Sequence, residues 1–348
     1  MTNTLTHMID AHAPLKVIPL GPKNLVALDF RLMKIFPAYN IIRAARLCGQ
    51  IGARTTIVET SSGTMGAGLA IVCKWYDLPL HIFGDPAIEP PLRRMMEDLG
   101  ARVVIVEASP SDSNVQMLRM KALLQFMQTN DAFWTRQYDN LNNRLAYSRP
   151  AAEVIRQLGR IAFLVATVGS GGHSCGLTYY IRKFFPEMRL IGVDTFGSAL
   201  FGQPPGRRDF RGLGNSIMPG NLDHTAFDCV HWLGANEGFH AARRLLRDTT
   251  LKRGPTSGAA YLVAKWYAEQ YPDKQVLAVF PDEGSRYEHT VFDPLWLANN
   301  AYRADLLVDA PTIVEHPLQA KGGWAMINWR RRTLAEVMSL NSMMITGA

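Results

Sequence analysis

Short runs of β-branched and aliphatic residues recur along this chain, and each is followed by a stretch with helical spacing. RTTIVE (54–59), ARVVIVEA (101–108), IAFLVATVG (161–169), RLIGVDT (189–195) and QVLAVFP (275–281) read as strands, as do NLVALDF (24–30) and LPLHIFG (78–84). Between them, YNIIRAARLCGQ (39–50), AGLAIVCKWYD (67–77) and PPLRRMMEDLG (90–100) carry the spacing of helices. The strand runs are continuously apolar rather than alternating, so both of their faces are buried. That pattern belongs to α/β architecture, with parallel sheets covered by helices on both sides.

Composition excludes several function classes. With 348 residues and 47% hydrophobic content the chain is long enough for two cores. It has no apolar run of about 20 residues, the length that crosses a bilayer. The start, MTNTLTHMIDAHAPLKV, lacks the basic-then-apolar order of a signal peptide, and a cytoplasmic protein is expected. Cys48, Cys73, Cys175 and Cys229 show no metal-ligand or disulfide spacing, so no metal is expected. The net charge is +7, and its basic clusters RRDFRG and NWRRRT lack interleaved aromatics, so they read as solvated faces rather than a nucleic-acid site.

Two strand-to-helix junctions are glycine-rich: ETSSGTMGAG (59–68) and VGSGGHSCG (168–176). At such junctions backbone N–H groups converge at a helix N-terminus, where the helix dipole favours an anion and glycine permits close approach. Neither has Walker or GxGxxG spacing.

Taken in order with other segments, these loops resemble the cysteine synthase (O-acetylserine sulfhydrylase) and cystathionine β-synthase family of pyridoxal phosphate (PLP) enzymes, fold type II. ETSSGTMG is similar to that family's substrate-carboxylate loop, and QYDN (137–140) to its Gln-aromatic-x-Asn segment. Gly169, Ser170, Gly171, Gly172 and His173 resemble its phosphate loop, while RGLGNSIMPGNLD, GPTSGAA and PDEGSRYEHT resemble segments that follow. The resemblance runs over residues 12–297. It implies two doubly wound domains: 1–35 with 146–299 as a large domain holding the phosphate loop, and 36–145 as a small domain holding the carboxylate loop. Residues 300–348 form a C-terminal extension that covers a sheet edge, swaps onto a partner or frays. A homodimer is implied, as is a small serine-type amino-acid substrate bound by Ser61, Ser62, Gly63, Thr64 and Gln137.

Alignment on Pro37 puts Ile42 where the family has the lysine that joins PLP and moves the substrate α-proton. An isoleucine does neither. Thr64 falls at the position of an asparagine that contacts the cofactor's phenolic oxygen, and Glu283 at that of a Ser or Thr facing the pyridine nitrogen. Substitutes for the lysine are Lys34, Tyr39 and His173, with PLP then held noncovalently. The resulting expectation is an enzyme, a lyase or transferase of β-elimination and replacement. Its alternatives are a non-catalytic or regulatory relative, and a pocket repurposed for another phosphorylated ligand.

Overall fold

The computed structural model describes residues 9–12, 14–107, 115–210 and 212–339. It divides into two compact units. The first takes Leu32–Tyr147 and the described residues before Leu15; the second takes Leu15–Arg31 and the described chain from Ser148 onward. The described residues before Leu15 cluster with the first unit rather than with the large domain expected for them. Residues 300–339 cluster with the second unit and extend one edge of its sheet; the remaining tail residues lie outside the described chain.

The first unit is built on a four-stranded sheet in the order β5-β4-β3-β6, every neighbouring pair parallel. These strands are β3 (Thr56–Thr60), β4 (Leu80–Gly84), β5 (Arg102–Ile105) and β6 (Ala132–Trp134). The helix Thr64–Tyr76 follows β3 and is buried from Met65 to Cys73, because small residues line it. A Cβ added at Gly68 would lie 2.7 Å from the carbonyl oxygen of Lys34, so glycine there lets two chain segments touch. The neighbouring helix Ile35–Leu47 starts earlier than its sequence pattern suggests, with Pro37 tolerated in its first turn. From β3 the order steps outward to β4 and β5, while β6 lies on the other side. The order therefore reverses between β3 and β6, and ligands of open parallel sheets bind outside strand ends at such a reversal.

The second unit is an eight-stranded sheet, order β1-β2-β10-β7-β8-β9-β12-β11. Its parallel centre comprises β2 (Leu25–Asp29), β10 (Val276–Phe280), β7 (Phe163–Thr167), β8 (Arg189–Thr195) and β9 (Cys229–Leu233). All residues of β2, β7, β9 and β10 are buried, as their continuous apolar runs require. The sheet is not parallel throughout: β1 (Lys16–Pro19) pairs antiparallel with β2, and β12 (Trp324–Asn328) antiparallel with β9. β11 (Thr312–Ile313) closes the edge. Here the order reverses between β7 and β10.

Candidate active site

At the end of β3, Glu59 is fully buried and held by donors from four residues. Its Oε1 accepts from the Thr60 N–H at 2.7 Å and the Trp134 indole at 3.2 Å. Its Oε2 accepts from the Thr135 hydroxyl at 2.5 Å and the Gln137 N–H at 2.9 Å. One carboxylate thus ties the ends of β3 and β6 together across the reversal point. Burial raises its pKa, against the pull of those hydrogen bonds.

The loop beyond Glu59 closes on itself. Ser61 Oγ accepts from the N–H groups of Gly63 and Gly66, both at 3.2 Å, so this hydroxyl shapes the loop. Ser62, Gly63 and Thr64 remain partly exposed at the start of the helix Thr64–Tyr76, whose first N–H groups are available to an anion. Gln137 braces the loop, its Nε2 donating to the Thr60 carbonyl at 2.9 Å.

Lys34 sits at the N-cap of the helix Ile35–Leu47, with its carbonyl against Gly68. That contact lies one turn, about 6 Å, inside the helix that the carboxylate loop opens. The residue keeps some accessible surface, yet desolvation lowers its pKa from 10.5 to about 8, offset in part by the charge of Glu59. At pH 7 roughly one such amine in ten is uncharged, against about one in three thousand at a pKa of 10.5.

Two other sequence candidates lie elsewhere in this unit. Ile42 has no exposed surface and packs in the interior of its helix. Tyr39 hydrogen-bonds Tyr76, at the far end of the helix from Thr64. Tyr76 is eight residues, or about 12 Å of helix, beyond the Gly68 contact that marks Lys34.

In the second unit, β7 leads into the loop at the other reversal point and then into the helix Gly172–Ile181. Gly171 has φ +77°, and a Cβ there would lie 2.7 Å from the Cα of Leu222. Only glycine fits this left-handed position. Ser170 is buried, its Oγ accepting from the Gly172 N–H at 3.4 Å. His173 is buried in the first turn of the helix. The segment Asn221–Asp223 closes behind the loop, with the Asp223 N–H 3.4 Å from Cys175 Sγ. Cys175 is therefore a packing residue.

Glu283 follows β10 on the same side of that reversal. Its carboxylate is 41% exposed and pairs with Arg31 at 3.0 Å. Its neighbour Asp282 is the buried carboxylate, accepting from the Tyr287 hydroxyl at 3.0 Å and the Thr256 hydroxyl at 3.3 Å.

Within the first unit the desolvated amine of Lys34 suits an aldehyde, and within the second the glycine cradle at a helix N-terminus suits a phosphate. Among the described residues no group of three or more His, Cys, Asp or Glu side chains could hold a metal ion. No helix among them is long and apolar enough to cross a membrane.

These features, each at the reversal point of a parallel sheet, define the fold type II class of PLP enzymes. The chain belongs to the pyridoxal-phosphate dependent enzyme family, whose model matches residues 33–282. It is 34% identical over 286 residues to an N-(2-amino-2-carboxyethyl)-L-glutamate synthase of Cupriavidus metallidurans, covering 80% of this chain and 84% of that one. It is 32% identical over 242 residues to a cysteine synthase of Helicobacter pylori, covering 69% and 78% respectively. The crystal structure of an O-acetylserine dependent cystathionine beta-synthase from Helicobacter pylori matches with a TM-score of 0.73 at 28% identity, over 81% of this chain and 97% of that one.

Sequence reasoning overlooked Glu59, which heads the quoted loop but looks there like a spacer. The signal was present: an acidic residue closing a continuous apolar strand must find donors or a counter-charge.

Proposed function

We propose that this protein catalyses PLP-dependent β-replacement on a serine-type amino acid, and that Lys34 is its catalytic lysine. The observation that carries this reading is the placement of Lys34 against Gly68, in the helix that the carboxylate loop opens, with its amine desolvated so that its pKa falls to about 8. Ile42 owes its burial to helix packing, and the proline used to align it lies in the first turn of a helix that Lys34 itself caps.

Lys34 Nζ would hold the cofactor, and as a free amine would take the proton from the substrate Cα. A lowered pKa suits both roles, because the uncharged amine is the nucleophile and the base. PLP, when bound, supplies the electron sink that makes this proton removable. Ser62, Gly63 and Thr64 hold the substrate carboxylate at the N-terminus of their helix. Gly169–Gly172 would hold the cofactor phosphate through backbone N–H groups, with Ser170 shaping the turn. The β-substituent leaves and an incoming nucleophile takes its place. The relatives' names supply both nucleophile classes, sulfur in a cysteine synthase and an amine in an N-linked glutamate product. The non-catalytic alternative rested on a missing lysine, and Lys34 removes its main support.

The test is to load the purified protein with PLP, reduce it with borohydride and map the labelled peptide. The label is expected on Lys34. Lys34→Ala should abolish labelling and lower replacement of O-acetyl-L-serine by sulfide at least about 1000-fold. A label on another lysine, or no fixation at all, overturns the assignment.

A further inference from the structure

The turn that follows β12 is strained. Arg330 and Arg331 have φ of +56° and +55°, two consecutive residues with side chains in the left-handed region that favours glycine. A chain keeps such a conformation only where its surroundings enforce it. Here the Arg330 N–H donates to the Asp228 carbonyl at 2.9 Å, and the Arg331 N–H to the Phe227 carbonyl at 2.7 Å. The Arg331 side chain turns the same way, its Nε donating to Asp228 Oδ1 at 2.9 Å. Just before the turn, Trp329 is wholly buried and stacks on His224, with ring centroids 5.8 Å apart. Residues 329–331 thus grip a single segment, residues 221–228.

That segment reaches both ends of the helix Gly172–Ile181, whose N-terminus carries the glycine cradle. At the cradle the Leu222 backbone lies where a Cβ of Gly171 would be, and the Asp223 N–H points at Cys175 Sγ, 3.4 Å away. At the far end Arg182 caps the helix, and its Nη2 donates to Asp228 Oδ2 at 2.6 Å. One carboxylate therefore joins Arg182 of the helix to Arg331 of the strained turn, one oxygen to each. The Arg182 and Asp228 side chains keep only 16% and 13% of their surface, so water screens this link little.

We propose that residues 329–331 position the phosphate helix, with Arg331 as the positioning residue, and so set how tightly the cofactor's phosphate is held. This rests on the assignment of Gly169–Gly172 to that phosphate. N–H groups at a helix N-terminus hold an anion well when they converge on it, and their convergence depends on where the helix lies. Residues 221–228 carry that placement from the turn to the cradle. The turn lies beyond residues 33–282, which the family model matches, so the device belongs to the C-terminal part of this chain.

The experiment compares the full chain, stripped of cofactor, with the variants Arg331→Ala and Arg332→Ala. The Arg331 side chain is 42% exposed, so its removal opens no buried cavity. Arg332 donates to the Trp329 and Asn328 carbonyls, so its removal loosens the same turn and leaves the Asp228 link in place. Dissociation constants are measured for PLP and for pyridoxal, which lacks the phosphate, and thermal unfolding shows that each variant folds. Arg331→Ala should weaken PLP binding at least about threefold and leave pyridoxal binding unchanged. Arg332→Ala should leave both constants unchanged. An equal loss of PLP and pyridoxal in Arg331→Ala, or no loss, makes Arg331 a structural residue only, which overturns the proposal and leaves the cofactor reading standing. The same phosphate-selective loss in Arg332→Ala overturns the role given to Arg331. A wild-type chain that holds PLP no better than pyridoxal overturns the phosphate assignment and this inference together.

Discussion

At the scale of single residues, Lys34 sets the chemistry against stability. An amine with a pKa of about 8 in the fold and near 10.5 when unfolded binds fewer protons folded across that window. Stability of the cofactor-free protein therefore rises with pH between about 8 and 10.5, and the full penalty is present below pH 8. Lys34→Met removes the charge and keeps an apolar stem. The cofactor-free variant should exceed wild type at pH 7 by up to about 3 kcal/mol in urea unfolding, with the margin falling below about 1 kcal/mol by pH 10. Equal stability at both pH values would mean that the amine is well solvated. The sequence offered this residue as a candidate but could not show its surroundings, for a physical reason. A lysine beside apolar neighbours reads alike whether its head snorkels to water or turns inward, and only the fold decides. Pro37, on which the alignment rests, lies in the first turn of a helix, and in a string such a proline looks like one in the loop before it.

At the scale of elements, the glycine-rich junctions were legible because their requirement is local. A strand that must turn sharply into a helix and leave N–H groups open needs glycine at fixed places. Gly171 is the strictest of these, with its positive φ and the Leu222 backbone where a Cβ would be. Gly171→Ala should lower PLP affinity at least about tenfold and cost roughly 1–3 kcal/mol of stability. Fluorescence titration of the cofactor and thermal unfolding of the variant would measure the two effects. Unchanged affinity would remove this loop from the phosphate assignment. The carboxylate brace at Glu59 was not legible, because its donors come from Thr60 and from Trp134, Thr135 and Gln137, more than seventy residues further on. The ion pair of Glu283 was hidden for a related reason: its partner Arg31 belongs to the turn after β2, and pairing across distant strands cannot be read from spacing.

At the scale of the molecule, alternation of apolar runs and helices made the parallel core of each unit readable, since every run had to be buried on both faces. It did not show how the second sheet ends. The rhythm fades beyond residue 299, yet the chain returns there to the sheet. β12 lies antiparallel to β9, in register from Trp324 opposite Leu233 to Asn328 opposite Cys229. Trp324, Ala325, Met326 and Ile327 are all at least nine-tenths buried. The Trp324 indole donates to His231 Nδ1 at 3.0 Å, and burial lowers the His231 pKa to about 3, so that histidine stays neutral and able to accept. Removing residues 312–348 strips this strand away. It exposes one edge of β9, takes a partner from a buried histidine and uncovers the apolar face beneath Trp324. An indole alone buries about 200 Å² of surface, so the loss amounts to several kcal/mol, comparable with the whole stability of a domain. The truncated chain is expected to be insoluble, because an open hydrophobic strand edge pairs with other chains. Trp324→Ala in the full chain should unfold several degrees below wild type. Expression yield and differential scanning calorimetry of the two variants give the readout. A soluble truncation that melts like wild type would mean that β12 is an ornament on the sheet rather than part of its core.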